Sequence, residues 1–132
     1  KFAEIQSMDF TVECAVDAGA DQVSGEFAVL YDNSSGAGST SVLLSNVDLV
    51  LTQGASAMKW NIKPSPAASG IVGAGLTSTI THNNITGTGT GTGDPCDFCT
   101  GTMTLEVDFT FEDDAGAVQS DTFGPFAVKC NP

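Results

Sequence analysis

From Thr102 to Glu112 the chain reads TMTLEVDFTFE, and this stretch constrains the fold more than any other. Met103, Leu105, Val107, Phe109 and Phe111 share one parity, while Thr104, Glu106, Asp108, Thr110 and Glu112 share the other. Side chains alternate across a strand but repeat every 3.6 residues around a helix, so the stretch predicts a strand with one face in a core and one in water.

Weaker versions of the same pattern recur along the chain. Met8, Phe10, Val12 and Cys14 face one way in a first strand, and residues 1–7 lack that period and read as an N-terminal arm. A second strand runs from about Gln22 to Asp32, after turn residues at 17–21, with Val23, Gly25, Phe27, Val29 and Tyr31 on one parity. Between Thr40 and Thr52 the parity slips from even (Val42, Leu44) to odd (Val47, Leu49, Leu51), which a bulge or turn near Ser45-Asn46 would restore, a helical turn being the other reading. Met58, Trp60 and Ile62 are in phase before Pro64 and Pro66 stop the ladder. The small, glycine-punctuated stretch 67–75 reads as a connection between sheets, and Leu76 to His82 alternates again. Thr86 to Gly93 (TGTGTGTG) reads as a loop or frayed edge, because glycine weakens a ladder. Asp113 to Gly116 supplies a hairpin turn into residues 117–122, and a final strand follows Gly124-Pro125. Seven or eight short strands with turn signals between them predict an antiparallel β-sandwich of Ig-like or jelly-roll type, one domain over residues 8–132.

Charge narrows the partners. Sixteen acidic residues against four basic ones give a net charge of −12, which excludes nucleic acid and disfavours anionic membranes. An acidic coat fits solubility, a salt- or divalent-rich medium, or cation binding. No apolar run approaches the length of a membrane span, so membrane insertion is not expected. The start at Lys1 reads as a mature chain after removal of an export signal. Four cysteines suggest two disulfides and an oxidising, extracellular or cell-surface setting.

The candidate sites follow from these elements. Cys14 and Cys130 lie among inward residues of the first and last strands, so they are expected to pair, leaving Cys96 with Cys99. The Cys96-Asp-Phe-Cys99 spacing matches redox motifs, but its acidic neighbours would raise a thiol pKa, which favours a structural staple. Zinc is not expected, since no second such pair and no nearby histidine completes a site. Asp94 with Asp97, or Asp113 and Asp114 with Asp121, could offer oxygen ligands to calcium. Trp60 could stack a sugar ring in a glycan-binding module, although its phase with Met58 and Ile62 also suits a core. Asn33 and Asn84 begin glycosylation sequons placed in expected loops. The row Thr77, Thr79, Thr81 reads as an ordinary outward stripe. No G-x-S-x-G and no nucleophile beside the lone histidine, His82, argues for an enzyme. The expectation is a secreted or surface structural sandwich. It would self-associate into a homopolymer through edge strands and through an arm whose apolar residues are Phe2 and Ile5. A surface-glycan or calcium-linked adhesion module is the rival.

Overall fold

A computed structural model of the chain describes residues 1–14, 23–84, 90–91 and 93–131. Among the described residues ten strands form two sheets: β1 (Ala3–Glu13), β2 (Val23–Asp32), β3 (Thr40–Gln53), β4 (Ser56–Ile62), β5 (Ala68–Val72), β6 (Thr77–Asn84), β7 (Thr90–Gly91), β8 (Thr104–Asp113), β9 (Val118–Ala127) and β10 (Lys129–Asn131). One sheet has the order β10-β1-β2-β6; the other runs β7-β4-β3-β8-β9, with β5 paired to the first half of β3. All pairings are antiparallel except β1 with β10. Strands β1, β2 and β6 opposite β9, β8, β3 and β4 reproduce the A-B-E and G-F-C-C′ arrangement of an immunoglobulin-like sandwich.

The alternating strand behaves as its sequence dictates. Met103, Leu105, Val107, Phe109 and Phe111 are all buried, and β8 sits centrally between β3 and β9. Across the core, Phe27 of β2 meets Phe109 edge-on at 5.0 Å between ring centroids, and Tyr31 meets Phe111 at 6.0 Å. Such edge-to-face pairs are worth about 0.5–1.5 kcal/mol each beyond the area they bury. The parity slip in β3 is a bulge: register shifts between Leu44 and Asn46 against β8, so Val42, Leu44, Val47, Leu49 and Leu51 all reach the core.

Several expectations are corrected. Residues 1–7 are not a separate arm, because Ala3 to Ile5 already pair with Val29 to Tyr31 of β2. A register shift between Ile5 and Ser7 hides the strand period there, which is why the sequence looks irregular. The connection over 67–75 contains β5, and the last strand is continuous through Gly124-Pro125 as β9 before β10 switches sheets. The turn at 17–21 lies outside the described residues, as do 86–89 and Thr92 of the Thr-Gly repeat. Thr90 and Gly91 of that repeat form a two-residue edge strand, the frayed-edge alternative and not the loop. Gly91 pairs with Trp60, and a Cβ at Gly91 would collide with the indole, so glycine lets the ring lie flat against the backbone. Gly25 accepts the ring of Phe10 in the same way.

Candidate functional site

The cysteines converge at one end of the sandwich. Asp94 caps a short 3-10 helix, Pro95–Thr100, by accepting from the Cys96 N–H at 2.9 Å. In a 3-10 helix residues three apart eclipse, so Cys96 and Cys99 face the same way. Beneath them, β1 and β10 run parallel, with Val12 opposite Cys130 and Cys14 two residues further on. Each strand therefore presents its cysteine to a different residue of the helix. The bonds are Cys14–Cys96 and Cys99–Cys130, with Cα separations of 5.8 and 5.9 Å. This overturns the expected pairing of Cys14 with Cys130 and of Cys96 with Cys99. The staple reading of the motif stands, but it clamps the β7–β8 connection to two strands rather than closing on itself. The two bridges touch, with Cys14 Sγ and Cys99 Sγ 3.5 Å apart.

These bridges close consecutive loops with sequence separations of 82 and 31. Chain entropy alone then stabilises by about 4–5 and about 3–4 kcal/mol, and the loops do not overlap, so the two contributions nearly add.

Next to β6 the interior is held by a polar relay instead. His82 is fully buried and its Nδ1 lies 2.6 Å from the Pro66 carbonyl, which can only accept. Nδ1 therefore carries the proton, and Nε2 accepts from the Tyr31 hydroxyl at 2.6 Å. Burial holds the imidazole below its ordinary pKa, partly offset by the Pro66 bond, and burial pushes the Tyr31 phenol well above its own. Both groups stay neutral in the core. Sequence reasoning missed this pair; its trace was two polar-tipped rings, Tyr31 and His82, on inward parities.

The residues expected to bind ligands serve the fold. Trp60 is 2% exposed, buried beneath Gly91, and offers no ring to a sugar. Asp113 caps its own hairpin by accepting from the N–H groups of Ala115 and Ala117. Asp114 accepts from the Thr40 hydroxyl and the Ser41 N–H, fastening that hairpin to β3. Asp121 points toward Lys1, 3.6 Å away, and Asp97 is exposed on the 3-10 helix. Among the described residues, only Cys14, Cys96 and Cys99 bring three potential ligand atoms together, and their sulfurs are already bonded. The aspartates do not converge into a calcium site. The sequons fare likewise: the Asn33 amide donates to the carbonyls of Gly38, Val72 and Gly73, and Asn84 is buried in β6 and donates to Val23. Asn33 lies in the expected loop after β2, with its amide engaged, whereas Asn84 lies in a strand and not in a loop. Phe2 and Ile5 pack on their own core.

The outer faces are acidic to the point of conflict. Asp48 stands directly opposite Asp108, and Asp9 opposite Glu26, like-charged pairs that oppose folding. Asn61 donates to Asp48 and Thr122 to Asp108, spreading part of that charge.

The two long edge strands differ. Beside β9, the Gln119 side chain exchanges hydrogen bonds with the backbone of Phe2 and Ala3, and Lys1 pairs with Asp121. Against β6, only the Ser65–Asn83 backbone pair forms among the described residues.

The fold and its cysteines define a disulfide-stapled all-β sandwich. No family model matches the chain, and no curated protein matches it. Among solved structures, a Bordetella pertussis protein described as a candidate ApaA protein aligns over 97% of this chain and 91% of its own, at 13% identity and a TM-score of 0.40. A likeness at that level carries no argument about function. No helix among the described residues is long and apolar enough to cross a membrane.

Proposed function

We propose that this chain is a secreted or cell-surface structural module that assembles with further copies through its sheet edges, as a subunit of an extracellular filament or surface layer. The observation that supports this reading is the edge of β6 over Thr77 to Thr81, which no other strand pairs among the described residues and whose exposed residues carry no charge on a chain of net −12. Exposed backbone donors and acceptors at a sheet margin are a template for another strand, and folds that remain monomeric blunt such margins with charge, proline or a covering segment. Two disulfides suit an oxidising compartment and resist the unfolding that load on a filament imposes. The role is mechanical rather than chemical. Assembly runs through edges and not through a free N-terminal arm, since residues 3–5 are already part of β1.

Sedimentation and electron microscopy of the non-reduced protein test the reading. Species well above the 13.5 kDa chain mass, growing with protein concentration, are expected. A single 13.5 kDa species across concentration and salt would end it.

A further inference from the structure

The alternation that places side chains also places backbone groups. In an antiparallel pair, every second residue turns its N–H and C=O away from its partner strand. On β6 the parity of that turn is visible, because the Asn83 N–H and C=O both bond to Ser65 on the side away from β2. Thr81, Thr79 and Thr77 share the parity of Asn83, so their backbone groups point to the same free side. No other backbone or side-chain hydrogen bond among the described residues reaches them.

This open stretch is bounded at both ends. Beyond Thr81 the groups of Asn83 are taken by Ser65, and the chain then turns away at Pro66 toward β5. Before Thr77, Leu76 donates to Gly73 and accepts from Asn33. Three residues of the right parity remain, with Thr79 at the centre.

We infer that β6 is a homotypic docking edge, pairing antiparallel with β6 of a second copy about a two-fold axis through Thr79; this rests on the assembly reading above and names the edge and partner it uses. Symmetry then sets Thr77 opposite the partner's Thr81 and Thr79 opposite the partner's Thr79. About six inter-chain backbone hydrogen bonds result from the alternation of an antiparallel ladder. Joining the edges puts sheet order β10-β1-β2-β6 in continuous register with its copy.

Electrostatics favours a second copy here over the other long margin, β9. Two chains of −12 repel, and the least repulsive approach is through an uncharged segment. Thr77 to Asn84 carries no charged side chain, and the residues of β2 beside Thr79 and Thr81 are Leu30 and Ala28, with the carboxylate of Asp32 at the end beside Thr77. The alternative margin, β9, carries Asp121 and is braced by residues 1–3. The threonines of β6 stand exposed, and facing threonine pairs across strands are themselves favourable. Leu76, 60% exposed beside the first paired residue, adds apolar surface at each end of the joint. A two-fold joint closes on itself, so a filament needs one further contact elsewhere on the subunit.

Two variants test the edge. Thr79→Lys places a charge at the axis without touching the core and is expected to weaken association by about tenfold or more, with thermal stability unchanged. Thr79→Cys is expected to be joined to its own copy by a short thiol cross-linker, while Ser120→Cys on β9 is not. A wild-type chain that stays monomeric overturns both this inference and the assembly reading. Polymers that persist in Thr79→Lys, with no preferential cross-linking at residue 79, overturn this inference alone. Closed dimers abolished by Thr79→Lys, without longer polymers, support this edge and remove the filament.

Discussion

The base of the sandwich and the flank along β6 are built by opposite means. At the base, two covalent bonds hold a connecting helix, capped by Asp94, to β1 and β10. Along β6, one neutral histidine, one phenol and a carbonyl hold the interior, and among the described residues no backbone bond reaches Thr77, Thr79 or Thr81 from the side away from β2. The base is therefore expected to respond to reductant, and the flank to pH. What this teaches is that rigidity was concentrated where the chain changes sheets, and an adaptable edge was kept where little crosses.

The largest expected effect breaks the base. Replacing Cys14 and Cys96 together by serine should lower unfolding free energy by about 4 kcal/mol in denaturant titration, and the Cys99–Cys130 pair by slightly less, because its loop is shorter. Equal losses, or none, would show that loop entropy is not what the bridges contribute.

On the flank, Tyr31→Phe keeps the ring but removes the donor to His82, leaving a buried nitrogen unpaired. A loss of about 1–3 kcal/mol is expected, insensitive to reductant. Calorimetry showing no change would mean that water or a shifted His82 tautomer takes over the bond.

Acid gives a smaller and more diagnostic effect. His82 has a folded pKa below its ordinary 6.5, so between those two values the unfolded chain binds more protons than the folded one. The contribution of this residue to stability is therefore complete above 6.5 and declines as pH falls through that window. The difference in melting temperature between wild type and His82→Gln should shrink on acidification from neutral pH. A difference independent of pH would place the proton elsewhere.

The smallest effect concerns ions. Chelator should leave the melting temperature unchanged, because Asp94 and Asp113 already serve as acceptors within their own turns and Asp114 accepts from Thr40 and Ser41 of β3. Monovalent salt should raise it slightly by screening the Asp48–Asp108 and Asp9–Glu26 pairs. A chelator-sensitive melt would restore calcium to consideration.

Most of the fold was legible because alternation is a local signal that burial enforces: the inward residues of β2, β3 and β8 were identifiable from parity alone, and so was the bulge at Ser45-Asn46. The start of β1 was not, since a register shift after Ile5 erases the period over the few residues available to show it. The site residues were less legible. Trp60 was ambiguous because the same indole suits a core and a sugar platform, and nothing local announces that Gly91 covers it. Asn33 and Asn84 carry the right triplets, but whether an amide is free depends on carbonyls up to 61 residues away.

Sequence by itself determined that the chain is all-β, that its odd- and even-numbered faces separate core from water, and that its cysteines belong in an oxidised state. These follow from side-chain period and composition, which each short segment carries within itself. Tertiary structure alone decided which sulfurs join, which edge lies open, and that His82 meets Tyr31. Those outcomes depend on the parallel offset of β1 against β10 and on where the chain leaves β6 after Ser65, and such distances between strands exist only once the sheets have packed.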